Sequence, residues 1–215
     1  KPLDYGIAVG RQPVLAQDGF LIADVMDSIA ITRNTVPIRG TAFGRYTFLY
    51  GWDGINRSNN SADGQAQIFG LLSAMDVSHS TLELDMTYLD SINVRGDQFN
   101  IAFSAVQPII LFDTYFNTTF RIASSLALDE ETAQVSEGTL FYAGISWAPK
   151  KTHNIAYLNT FWAIDNYAPA SRQKGGPLGR TGLLFSGHPL ASGAPIGNRA
   201  NESFGGSLGY QMFFS

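Results

Sequence analysis

Alternation with a period of two runs through most of this chain. Successive side chains on a strand point to opposite faces, so the pattern gives each segment one apolar and one polar face. Leu82, Leu84, Met86 and Tyr88 alternate with Glu83, Asp85 and Thr87. Phe120, Ile122 and Leu126 alternate with Thr119, Arg121 and Ser125, and Leu208, Tyr210, Met212 and Phe214 with Ser207, Gly209 and Gln211. About ten such segments are legible, over 3–12, 20–33, 37–52, 65–77, 80–90, 97–107, 114–128, 138–148, 153–165 and 203–214. Most exceed the ~5–6 residues of an average soluble strand. They match the ~9–11 tilted residues that cross a bilayer.

Composition excludes several classes. Charged residues make up 15% and aromatic residues 13% of the 215 positions, which argues against disorder. The 22 glycines argue against a helical bundle. The formal net charge of -4 gives no electrostatic case for nucleic acid. With no cysteine, disulfides, thiolate catalysis and cysteine-ligated metals drop out.

The connections and the aromatic residues point the same way. Polar connections at 56–64, 129–138 and 169–203 contrast with short ones at 77–80 and 149–152. Tyr46, Phe48, Tyr50, Trp52, Tyr115, Phe116, Trp147, Trp162, Tyr167, Tyr210, Phe213 and Phe214 gather near segment ends. Long loops on one side, tight turns on the other and aromatic girdles describe an antiparallel up-and-down transmembrane β-barrel. The expectation is one β-barrel domain over 1–215, forming part of a longer chain and a larger barrel. Both ends read as trimmed, since the chain starts at Lys1 and stops in an apolar run at Phe214-Ser215.

A lipid-facing strand must satisfy its backbone through its neighbours. Parity then turns Arg39, Arg45, Glu83, Asp85 and Arg121 toward the lumen, because an arginine at the bilayer mid-plane costs about 2–4 kcal/mol.

The segment Gly10-Arg11-Gln12-Pro13-Val14-Leu15-Ala16-Gln17-Asp18-Gly19-Phe20, with the meander from Arg39 to Trp52, resembles the alginate-export family of outer-membrane β-barrels. The resemblance implies a porin in the cell outer membrane of a Gram-negative bacterium. Such a porin passes hydrophilic solutes, anionic ones or polysaccharide among them, through a charged lumen. It implies outer-membrane lipid as surroundings, no covalent chemistry and no cofactor. By matching position it makes Arg11 pore-lining. Parity complicates that role, since Arg11 aligns with Tyr5, Ile7 and Val9: a bulge near Gly10 reverses the facing, or Arg11 lies above lipid, or the odd-numbered face is the luminal one, with small Gly and Ala turned to lipid.

Other chemistries have simpler readings. A hydrolase would need Ser and His together near the rim, but His79 and His153 fall in turns and His188 in the long loop. Glu83 and Asp85, two apart on one strand face, have the spacing for acid–base work. They read more simply as an acidic pore wall opposing arginines. Asp53, Asn56, Asn59, Asn60 and Asp63 supply oxygen ligands of the kind calcium takes, in a spacing any turn-rich loop shares. Arg172, Lys174, Arg180 and Arg199 make the 169–203 loop a candidate cationic constriction, or else a mobile outer loop. A soluble or surface β-sheet protein that binds carbohydrate through aromatic side chains is the alternative to the porin.

Overall fold

A computed structural model describes residues 4–35, 42–53, 66–91, 97–111, 114–129, 134–148, 154–167, 170–172 and 200–211. The chain is all-β. Its strands are β1 (Asp4–Ala16), β2 (Ile22–Thr35), β3 (Ala42–Asp53), β4 (Ala66–Val77), β5 (Ser80–Ser91), β6 (Gln98–Leu111), β7 (Thr114–Asp129), β8 (Gln134–Ala148), β9 (Ile155–Tyr167), β10 (Ser171–Arg172) and β11 (Ala200–Gln211). The ten long strands lie in sequence order, β1 through β9 and then β11, each antiparallel to the next. This is an up-and-down meander, and it is not closed: β1 and β11 are the outer strands of the order.

Each expected segment contains a strand, and five of the ten are longer than the alternation suggests. The clearest extension is β8, which begins at Gln134 inside the expected 129–138 connection. Asn56, Asn59, Asn60 and Asp63 of the calcium-type loop, His153, His188, Arg39 and most of the 169–203 segment lie outside the described residues, while Asp53 ends β3.

The sheet is rolled, and the roll separates its two faces. Along β6, Gln98, Asn100, Ala102 and Ser104 are buried while Phe99, Ile101 and Phe103 are exposed. Strand pairing carries this through the sheet. Asn100 faces Thr87 on one side and Ser125 on the other, while Ile101 faces Met86 and Ser124. The concave face holds polar and small residues together with buried apolar ones, among them Met26, Leu49, Ile68, Leu89, Leu140 and Phe161. The convex face holds large exposed apolar ones, among them Phe48 at 62% and Trp162 at 56% exposure.

Two devices make these faces compatible with long strands. On the convex face, hydroxyls are satisfied within the sheet: Ser124 shares a hydrogen bond of 2.9 Å with Thr139, and Thr160 Oγ1 donates to the Ala143 carbonyl at 3.4 Å. On the concave face, glycines make room for rings on the neighbouring strand. A Cβ on Gly205 would meet the Phe161 ring at 2.7 Å, and one on Gly209 would collide with the Tyr157 ring.

The turn between β1 and β2 does not stay at the rim. Residues Gln17–Gly19 form a 3-10 turn that folds onto the concave face. Phe20, Leu21 and Ile22 are fully buried there, in a cluster with Leu140, Tyr142, Phe161 and Tyr167. The Tyr167 hydroxyl donates to the Phe20 carbonyl at 2.5 Å, and the Ala170 amide to the Leu21 carbonyl at 3.0 Å. The short strand β10 then runs parallel to the start of β2. The far end of β9 is thereby brought back over the first hairpin.

Candidate functional site

One cross-strand row on the concave face carries three charged residues. Register places Arg45 of β3 beside Ala74 of β4, Ala74 beside Glu83 of β5, and Glu83 beside Ser104 of β6. Ser104 lies beside Arg121 of β7, which lies beside Tyr142 of β8. A small uncharged residue separates each charge from the next, so signs alternate around the row: positive, negative, positive. Strands lie about 4.8 Å apart, so successive charged positions are about 10 Å apart along the row. Asp85 sits two residues along β5 from Glu83, one row nearer the inward turn.

The β1–β2 turn docks on this row at Arg121 and on the neighbouring row at Asp85. Asp18 forms an ion pair with Arg121, whose side chain is 7% exposed. Gln17 Nε2 donates to Asp85 Oδ2 at 3.0 Å, and the backbone amide of Ser73 donates to Asp85 Oδ1 at 2.8 Å. Both oxygens of the buried Asp85 carboxylate are therefore satisfied, as a buried charge requires. The Arg121 guanidinium lies over two rings, 5.2 Å from the centroid of Phe20 and 5.6 Å from that of Tyr142. Such cation–π contacts add about 0.5–2 kcal/mol each.

The turn adopts this position with unusual backbone angles. Gln17 at φ 53° and Asp18 at φ 50° are both left-handed, followed by Gly19 at φ 94°. For a residue with a Cβ this conformation costs roughly 1–2 kcal/mol. The ion pair and the Gln17 hydrogen bond offset that cost.

A pocket of about 220 Å³ lies beside the docked turn, lined by residues of β1, the turn itself and β2 to β5. Its polar walls include Gln12, Gln17, Arg45, Thr47, Glu83 and Asp85. Buried side-chain atoms without a hydrogen-bond partner gather nearby on the concave face: Gln17 Oε1, Thr87 Oγ1, Ser104 Oγ and Arg121 Nε.

Among the residues expected to point inward, Arg45, Glu83, Asp85 and Arg121 lie on the concave face and share this neighbourhood. Arg11 does not join them. The β1–β2 register runs unbroken through Gly10, so Arg11 stays on the convex side with Val9, 57% exposed and 3.7 Å from Asp27. Of the outcomes parity left open, the bulge that would turn it inward is absent. His79 is exposed in the turn between β4 and β5, next to Ser78 at φ 57°. Among the described residues no group of three or more metal-ligating side chains converges.

Sequence reasoning missed Gln17, Asp18 and Phe20 as parts of the site. Their partners are 68, 103 and 147 positions away, in Asp85, Arg121 and Tyr167. The only local signal was Gln17-Asp18-Gly19, a turn-forming run. The chain matches no protein-family model, and comparison with curated proteins and with solved structures gives no match either.

Proposed function

We propose that this chain is a membrane-spanning β-sheet of the outer membrane, acting as a porin-like channel for hydrophilic solutes. One observation carries the reading. Ten antiparallel strands of 12–16 residues expose many large apolar side chains outward and turn inward a mixed face, where Asp85 and Arg121 are buried beside an apolar cluster. Water-soluble monomers rarely expose contiguous apolar patches beyond a few hundred Å². In lipid such a face is the favourable one, provided every backbone group is paired.

Further features support it. Tyr50, Phe69 and Tyr88 form an aromatic file across β3, β4 and β5, with centroid separations of 5.0 and 6.5 Å. On the convex face Arg33, over the Tyr5 ring at 5.9 Å, and Glu137 lie toward strand ends, while Arg11 and Asp27 sit near the middle of β1 and β2 and pair with each other. Strand ends are the interfacial level, where charge costs little. β1 and β11 run antiparallel, the sense needed to pair with each other or with further strands of a larger barrel. The resemblance of the Gly10–Phe20 segment to alginate-export porins fits the same class, and passage of anionic or polysaccharide solutes belongs to this proposal.

In this reading Arg45, Glu83, Asp85 and Arg121 line the path, and the β1–β2 turn narrows it. The experiment is reconstitution of the detergent-purified protein in planar bilayers. Discrete ionic conductance is expected, with reversal potentials that shift when Arg45 is neutralised. A protein that extracts without detergent and leaves bilayers silent overturns it.

A further inference from the structure

We infer that the pocket beside the docked turn binds a small zwitterion, an ω-amino carboxylate, between Arg45 and Glu83. The two residues share the charged row, separated by one strand carrying Ala74. Among the described residues neither forms a hydrogen bond or an ion pair with a protein group, although they bear opposite charges and both line one cavity. The cavity of about 220 Å³ is an order of magnitude larger than a single water needs.

A second observation defines the end that takes the ammonium group. Gln17 is 3% exposed, lines the pocket, and spends its amide nitrogen on Asp85, which leaves Oε1 buried with no donor. A buried acceptor left unmade costs about 1–3 kcal/mol. An ammonium group placed there donates to Gln17 Oε1 and to the Glu83 carboxylate, with the Asp85 charge behind it. Elsewhere in the lining the exposed Arg45 guanidinium offers its fork to a carboxylate, and such charge-assisted pairs are the strong ones. A simple anion meets two carboxylates, and a simple cation leaves Arg45 unused. A molecule bearing both charges satisfies both groups. This site belongs to the concave face and does not require that the sheet conduct.

The test is titration calorimetry on the full chain in detergent with 6-aminohexanoate, hexanoate and hexylamine as probes. Saturable binding of 6-aminohexanoate is expected, at least tenfold tighter than that of either singly charged probe. Arg45→Gln should remove the advantage over hexylamine, and Glu83→Gln the advantage over hexanoate. Among the described residues neither has a hydrogen-bond or ion-pair partner to lose, so both variants should keep the strand signature in circular dichroism. Absence of saturable binding overturns the inference. So does hexylamine binding as tightly as 6-aminohexanoate and unaffected by Arg45→Gln, which would make this a plain cation site. Hexanoate binding equally well, unaffected by Glu83→Gln, would make it a plain anion site and overturns it too. Because no bilayer is involved, a protein that does not conduct can still pass.

Discussion

Asp18 and Arg121 are 103 positions apart and form an ion pair on the concave face, with the carboxylate exposed and the guanidinium buried. The asymmetry fixes what each partner costs to remove. Asp18→Asn leaves a buried guanidinium without its counter-charge, while the freed amide remains near water. Destabilisation of about 1–3 kcal/mol is expected, below the 3–5 kcal/mol of a fully buried pair. Urea unfolding of the single variants and the double variant Asp18→Asn/Arg121→Leu checks it. The double-mutant cycle should return a coupling energy, since direct partners do not add.

The same pair bears on the path through the proposed channel. Gln17 and Asp18 hold left-handed backbone angles while their side chains grip Asp85 and Arg121. Loss of both grips, in Gln17→Ala/Asp18→Ala, removes what offsets roughly 1–2 kcal/mol of strain per residue. The turn should then leave the concave face part of the time. In planar bilayers single-channel conductance should rise or begin to flicker. A conductance identical to that of the parent would separate the turn from the constriction.

The architecture was largely legible in the amino-acid pattern, because strand parity is a local property. Glu83 and Asp85 face inward for the reason that Leu84 and Met86 do not, and pairing through Ser104 and Ala102 carries the assignment across. Arg11 shows the limit of a short motif. The resemblance carried by the Gly10-Arg11-Gln12 run implied a pore-lining role, yet parity already aligned Arg11 with Val9, and an unbroken register keeps it there. The inward turn had no such signal. Its position depends on Arg121, Asp85 and Tyr167, and contacts made over tens of residues leave no period in the sequence. The glycines were similarly opaque: Gly209 reads as a weak strand position until the Tyr157 ring is found lying against it.

That contact yields a stability prediction. Gly209→Val places a branched side chain where the Tyr157 ring lies, and overpacking of this kind costs about 1–3 kcal/mol. Tyr157→Ala should be destabilising alone but should relieve Gly209→Val when combined with it. Thermal unfolding of the four proteins checks the pair, and strictly additive losses would show that the ring is displaced without strain.

Tyr167 is fully buried, and its hydroxyl donates to the Phe20 carbonyl at 2.5 Å. Tyr167→Phe keeps the ring in its cluster and leaves that carbonyl without this donor, at a cost of about 1–3 kcal/mol. The loss should be local as well as global. Hydrogen exchange at the Ala170 amide, which donates to the Leu21 carbonyl, should accelerate more than exchange in the middle of β7. Equal acceleration at both places would mean that the hydroxyl does not specifically tether β9 to the first hairpin.

The sharpest test of the two-faced sheet uses neighbouring residues of β3. Phe48 is 62% exposed on the convex face, while Thr47 faces the concave side, sharing a hydrogen bond of 2.9 Å with Thr32. Both lie mid-strand, so a single step along the chain changes the medium a lysine would meet. If lipid covers the convex face, Phe48→Lys places an ammonium in hydrocarbon at a cost of about 2–4 kcal/mol. Thr47→Lys loses only a hydrogen bond worth about 0.5–1.5 kcal/mol and reaches toward the polar interior. Refolding into phospholipid vesicles under a urea gradient should therefore penalise Phe48→Lys more heavily. In water without lipid the order should reverse or vanish, because an exposed apolar ring gains nothing there that a solvated lysine lacks. Equal penalties in vesicles would mean that β3 does not face hydrocarbon on its Phe48 side.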